Sequence, residues 1–465
     1  MKKVILFGML SAATFTVAAQ HEHHMPAQSS AKDSSMAPMK HDNMPHHDMN
    51  MMNHEDMDMM DHGSMGMMSH SFSRNLPMNR NSSGTAWLPD NSPMYGYMIH
   101  TPKWMFMIHD NVFLRYTNHD IARVGSRGAY KFDAPNWVMG MGQRQVGERG
   151  LFRFNVMMSL DPLTEGGSGY PLLFQSGESW KGKPLVDRQH PHDLFAELSV
   201  AYTYMINKDA DVFVYLAYPG EPAISAPTFM HRPSALFNPD APLGHHWQDA
   251  THITFGVATV GVRYKNFKLE GSSFTGREPD EDRYNFDKAR FDSWSARLSY
   301  NPTAEWALQV SQGFIKSPEA LHPDEDVYRT TASVINSKKL NNDGMINSTL
   351  VWGYNRSDSK HKEHSVLLES AWSQKKNAIY GRYEFVEKSG EELNLNENIV
   401  NHDEKFPVNA VTAGVNRNVF AIGKTNISIG AQATFYFTPR ELENLYGKNP
   451  WSFETFIRIS PGLMK

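Results

Sequence analysis

The sequence predicts an all-β chain, an antiparallel outer-membrane β-barrel of about 16 strands, within a range of roughly 12–18, preceded by a disordered Met/His-rich tail. Three observations predict it. Segments with period-two alternation of apolar and polar residues recur through residues 104–465. The connections between them alternate between tight turns and long loops, as in a barrel with one short-turn rim. The chain is 12% aromatic, yet it has no run of about 20 apolar residues for a membrane helix.

The elements follow in chain order. Residues 1–19 carry Lys2 and Lys3, an apolar run from Val4 into Ala13, and the small pair Ala18 and Ala19. This reads as a secretory signal peptide. The chain contains no cysteine, which excludes disulfides, thiolate metal sites and a lipid anchor on Cys. Its net charge of -5 is slight, and no basic stripe points to nucleic acid.

Residues 20–70 form the tail. From 21 to 70 there is no Leu, Ile, Val, Phe, Trp or Tyr, so the segment cannot bury enough apolar surface to offset chain entropy. It is dense in soft and borderline ligands instead. The candidate ligands include the imidazoles of His21, His23, His24, His46, His47, His54, His62 and His70 and the thioethers of Met44, Met49, Met51, Met52, Met57, Met59, Met60, Met65, Met67 and Met68. Thioether sulfur suits Cu(I), and imidazole suits Cu(II), Ni and Zn. The expected ligand is therefore copper in either oxidation state, with other divalent metals as alternatives. Asp42, Asp48, Asp56, Asp58 and Asp61 add negative charge.

Residues 71–103 read as a connector that either enters the lumen or hangs below it. The barrel itself spans 104–465. Alternation places strands near 104–118, 134–143, 149–160, 193–206, 210–219, 252–264, 267–276, 290–300, 304–316, 327–337, 345–356, 363–373, 376–387, 406–419, 424–437 and 450–460. Tight turns fall at Asn207-Lys208-Asp209, Lys265-Asn266, Asn301-Pro302-Thr303 and Gln374-Lys375, and long loops at 161–192, 220–251, 277–289 and 388–405, all expected outside. Trp104, Trp137, Tyr202, Tyr204, Trp306, Trp372, Tyr383, Phe437 and Trp451 sit near strand ends and are expected in the interfacial girdles.

Two long loops concentrate further ligands. One carries His190 and His192; the other carries His231, His245, His246, Asp249 and His252. Imidazole with carboxylate is a workable set for Zn, Cu, Ni or non-haem Fe. Both loops end at the same rim, so this second candidate metal site would assemble at the barrel mouth. The competing reading is that these histidines cap turns and satisfy loop backbone. Glu197, Arg297, Glu369, Arg382, Glu384, Glu454 and Arg458 fall on polar strand faces, where they either line a channel or pair and close it. Met105 with Met107, and Met139 with Met141, each share a strand face that is either luminal or lipid-facing.

The overall plan, with Met57 to His70 as its specific residues, resembles the copper resistance protein B family. That resemblance implies a periplasmic metal-binding extension on an outer-membrane barrel, and a part in copper tolerance. The phrases from Asp187 to Asp193 and from Met230 to His252 look like those of an uncharacterised bacterial outer-membrane family. The reading is a non-enzymatic outer-membrane protein that binds copper through a periplasmic tail and supports metal tolerance, sequestration or efflux. Its partners would be outer-membrane lipid, periplasmic metal-handling proteins and further copies of the chain. A general diffusion porin with an incidental tail is the alternative. A metal-dependent enzyme at the barrel mouth ranks third, since no Gly-x-Ser-x-Gly elbow supports hydrolase chemistry.

Overall fold

The computed structural model describes residues 72–357, 361–396, 401 and 404–464. The signal and the tail calls lie outside these residues.

Sixteen antiparallel strands form a closed wall. They are β1 (Met105–Asn118), β2 (Asn136–Val146), β3 (Gly150–Met158), β4 (Phe195–Asn207), β5 (Ala210–Ala217), β6 (Val257–Tyr264), β7 (Phe267–Phe274) and β8 (Ser293–Thr303). The wall continues with β9 (Trp306–Ile315), β10 (Val327–Leu340), β11 (Gly344–Ser357), β12 (Lys362–Gln374), β13 (Asn377–Ser389), β14 (Lys405–Ile422), β15 (Thr425–Phe437) and β16 (Trp451–Pro461). Each pairs with its chain neighbour, and Val112–Asn118 of β1 pair with Ile459–Phe453 of β16 to close the ring. Closure leaves no free edge, which a spanning sheet requires. Short strands at Tyr97–His100 and Tyr130–Asp133 flank β1. The second runs on into β2 and is broken from it at Pro135, which has no N–H for the ladder.

The burial pattern is that of a membrane barrel, apolar outside and polar inside. On β8, Trp294, Leu298 and Tyr300 point outward and are exposed, whereas Ser293, Ser295, Arg297 and Ser299 are buried. On β7, Phe267 and Leu269 face out, and Lys268, Glu270 and Ser272 face in. Such an exterior, repeated on strand after strand, places the wall in a lipid bilayer of the outer-membrane type. Of the residues expected in girdles, Tyr202, Tyr204, Trp306, Trp372, Tyr383 and Phe437 are exposed on the outside, but Trp137 is buried. It faces the lumen, because its position on β2 has the parity of Met139 and Met141.

The interior is packed. Glu197, Arg297, Glu369, Arg382, Glu384, Glu454 and Arg458 are all buried; Arg297, Glu369, Arg382 and Glu454 are in ion pairs, whereas Glu197, Glu384 and Arg458 meet neutral hydrogen-bond partners. Two segments fill the space between the walls. The first is 72–92. Phe72 packs on Phe213 and Tyr215, Arg297 donates to Thr85 Oγ1 at 2.9 Å, and Asn301 donates to the Leu88 carbonyl at 2.8 Å. The second is the long connection between β5 and β6. Across 219–257 every residue is buried except Met230, His231 and Leu236.

That second segment corrects the expectation that all long loops lie outside. It is pinned by polar groups that need inward-facing partners. Arg232 bonds Glu369 at 2.7 Å, Arg115 bonds Asp240 at 2.6 Å, and the Leu243 N–H donates to Glu384 at 2.6 Å. A buried charge without such a partner would be strongly unfavourable, so these contacts fix the segment's path. The loop before β4 also holds structure of its own, a hairpin of Tyr170–Trp180 with Lys183–Gln189.

Candidate metal centre in the lumen

Four histidines from two loops form a closed ring. His190 and His192 follow the hairpin strand Lys183–Gln189, with Pro191 between them disfavouring a helical turn. His245 starts the single-turn helix His245–Gln248, and His252 ends the 3-10 turn Ala250–His252. Ring centres are 6.5 Å apart for His190–His192, 5.4 Å for His192–His252, 5.1 Å for His252–His245 and 6.1 Å for His245–His190. All four are buried.

Each ring is held by its Nδ1. His192 Nδ1 lies 2.7 Å from Asp161, His245 Nδ1 2.5 Å from Asp249, and His252 Nδ1 3.0 Å from the Asp249 carbonyl. His190 Nδ1 lies 3.1 Å from Glu178 and 3.3 Å from the Pro191 carbonyl. These oxygens accept, so Nδ1 carries the proton, and in the neutral ring Nε2 presents its lone pair. The Nε2 atoms of His190, His192, His245 and His252 are all buried without a hydrogen-bond partner. Neutral imidazole oriented by an oxygen on Nδ1 is the arrangement of a metal-ligating histidine.

The electrostatics favour neutral His190, His245 and His252. Burial, with added repulsion from Arg283 and the neighbouring imidazoles, pushes His190 well below the usual histidine range. Burial does the same to His252, helped by His245 and His192, and lowers His245 despite Asp249.

Four imidazoles bound through nitrogen at about 2.0–2.1 Å to one tetrahedral ion have ring centres about 5 Å apart. The observed ring is wider at His190, which lies 6.5 Å from His192 and 6.1 Å from His245. Among the described residues no three His, Cys, Asp or Glu side chains are already set to hold a metal ion, so coordination requires the ring to draw in.

The other candidates are placed differently. His246 flanks the ring, 5.6 Å from His190 and 5.4 Å from His245. Its Nδ1 lies 3.3 Å from Glu278; burial lowers its pKa, but Glu278 together with Glu178 and Glu319 outweighs that and raises it. Its Nε2 sits against Gly177, where a Cβ would be only 2.3 Å away. Asp249 serves as the oxygen partner of His245 and of Arg232 rather than as a direct ligand. His231 stands apart, 5.6 Å from His109 and 4.9 Å from Trp137. Sequence reasoning missed Asp161, in the short helix Asp161–Thr164, and Glu178, in the hairpin, whose roles show only once the fold brings them to His192 and His190. It also missed His109, a lone histidine in a strand whose inward parity was the only available signal.

No family model matches the chain, and no curated protein is similar to it, so no match carries the likeness to the copper resistance protein B family. Among solved structures, the chain is similar to Salmonella typhi OmpF in complex with daunomycin, at 7% identity over 78% of this chain and 100% of that one, with a TM-score of 0.49. It is similar to an anion-selective porin from Comamonas acidovorans, at 9% identity over 79% of this chain and 99% of that one, TM-score 0.44. A loop-deleted OmpT of Vibrio cholerae gives 9% identity over 76% and 99%, TM-score 0.42.

Proposed function

We propose that this outer-membrane barrel binds a transition-metal ion inside its lumen, in the ring of His190, His192, His245 and His252, and serves metal tolerance by holding or passing that ion. The observation that carries the reading is the set of four neighbouring imidazoles with buried, unpaired Nε2 atoms, each ring held through Nδ1 by an oxygen. Leaving them unpaired disfavours the fold, and a cation such as Cu(II), Zn(II) or Ni(II) satisfies them together. The Met/His tract of 21–70 offers donors for the same ions and, in this reading, collects them on the periplasmic side.

The test is metal binding by protein lacking 21–70, so that tail ligands do not contribute. Titration with Cu(II) or Zn(II) should show one tight ion per chain, lost in a His245→Gln, His252→Gln double variant. A tail-deleted protein that takes up no metal overturns the reading.

A second reading, passive diffusion, is favoured by the wall itself, since barrels of 16–18 strands are wide enough for an aqueous channel. The packing of 72–92 and 219–257 between the walls weighs against it. Liposome swelling with small sugars at a porin-like rate, unaffected by metal, would favour it.

A further inference from the structure

Below the imidazole ring, toward the short-turn rim, the lumen changes chemistry. Met105, Met107 and Met141 of the wall pack with Met78, Met94 and Met98 of the N-terminal segment, and with Met464. The faces carrying Met105, Met107, Met139 and Met141 are thus luminal. Among the buried positions of β1–β3, Met105, Met107, Met139, Met141 and Met157 are methionine, Leu151 is the one leucine, and none is Val or Ile.

Met78, Met94, Met107 and Met141 line a cavity of about 100 Å³ together with His109, His231 and Asp110, and with Arg458 and Arg232, the latter neutralised by Asp249 and Glu369. That volume exceeds what a single water needs. His109 Nε2 is buried without a hydrogen-bond partner, and Trp137 meets the His109 ring edge-on at 5.1 Å. A smaller cavity of about 40 Å³ shares Trp137 and Met230 with the first and reaches His192. Phe229, next to Met230, lies 6.4 Å from His192 and 5.6 Å from His245 between ring centres. The short helix Phe229–His231 therefore separates the methionine cavity from the imidazole ring.

We infer that this cavity is a second, soft-cation site that takes Cu(I) through the thioethers of Met78, Met107 and Met141 and the imidazole of His109. Thioether sulfur binds Cu(I) in preference to hard or borderline divalent ions. Pure packing accounts for methionine too, since Met fills irregular gaps; the buried Nε2 of His109 beside the cavity adds a nitrogen donor to the thioethers. The site goes beyond the imidazole ring and does not depend on it. The lumen then carries two centres of different softness.

The test is an anaerobic Cu(I) titration of the full chain against a competing chelator, comparing the parent with a Met107→Leu, Met141→Leu double variant. Leu conserves volume closely, so folding is retained while the sulfurs are lost. The expected result is loss of one Cu(I) per chain with Zn(II) uptake unchanged. No Zn(II) uptake by protein lacking 21–70, with the Cu(I) loss in the double variant still seen, would sink the imidazole ring and leave this site standing. A double variant that keeps the parent's thermal unfolding and binds as many Cu(I) ions as tightly overturns the inference. Where that variant does not fold, His109→Gln in the same titration decides, and undiminished Cu(I) binding there overturns it equally.

Discussion

Asp249 accepts a hydrogen bond from His245 Nδ1 at 2.5 Å, while its other carboxylate oxygen takes Arg232 at 2.8 Å. One side chain thus orients a ligand of the imidazole ring and ties the luminal segment to Arg232, which itself bonds wall residue Glu369 at 2.7 Å. Asp249→Asn keeps the shape and removes the charge. Loss of such an outer partner lowers metal affinity by about 10–100-fold. We expect that drop for Cu(II) or Zn(II) in competition titrations of the tail-deleted protein. Unchanged affinity would mean that His245 is not a ligand.

Gly177 leaves room for the His246 ring. It has φ +114, and a Cβ there would lie 2.3 Å from His246 Nε2. Gly177→Ala should displace His246 and destabilise the protein by about 1–3 kcal/mol, read as a lower midpoint in thermal unfolding. Metal affinity should hold, because His246 is outside the ring. A large loss of affinity would bring His246 into the site.

Arg232 is fully buried between Asp249 and Glu369. Removing one partner of a buried ionic set costs about 3–5 kcal/mol, since the remaining charges lose their compensation. Arg232→Ala should therefore loosen 219–257 before it disturbs the wall. Planar-bilayer recordings should show higher conductance than the parent, and limited proteolysis should cut within 219–257. Parental conductance together with protease resistance would show that Arg232 does not hold the segment in place.

The wall makes its own prediction. Val260 on β6 is 64% exposed and points to lipid, whereas its neighbour Thr259 is buried. Arginine on a lipid face near the bilayer midplane costs about 2–4 kcal/mol. Val260→Arg should shift folding equilibria in lipid vesicles by that amount, and Thr259→Ser should shift them far less. Equal small effects would contradict the inside-out assignment of β6.

The wall was legible in the sequence because its signal is local. Alternation such as Trp294, Leu298 and Tyr300 against Ser295, Arg297 and Ser299 needs no distant partner to be seen, and turns such as Lys265-Asn266 mark their own ends. The filling of the lumen was not legible, because each anchor finds its partner far along the chain. Arg232 meets Glu369 and Asp240 meets Arg115, and nothing near Arg232 or Asp240 announces those partners. The candidate centre lies between these cases. The histidines were visible as ligand-rich phrases, and His245 with Asp249 follows from one turn of helix. The exclusion of His231, and the supporting oxygens of Asp161 and Glu178, depend on how the hairpin and the luminal segment cross.

Anomalous diffraction at a metal absorption edge, from crystals of the protein grown with Cu(II) or Zn(II), tests the central claim most directly. The account predicts a peak enclosed by His190, His192, His245 and His252, about 2.0–2.1 Å from at least three of their Nε2 atoms. Fully occupied metal elsewhere in the barrel, with no peak inside that ring, would contradict it.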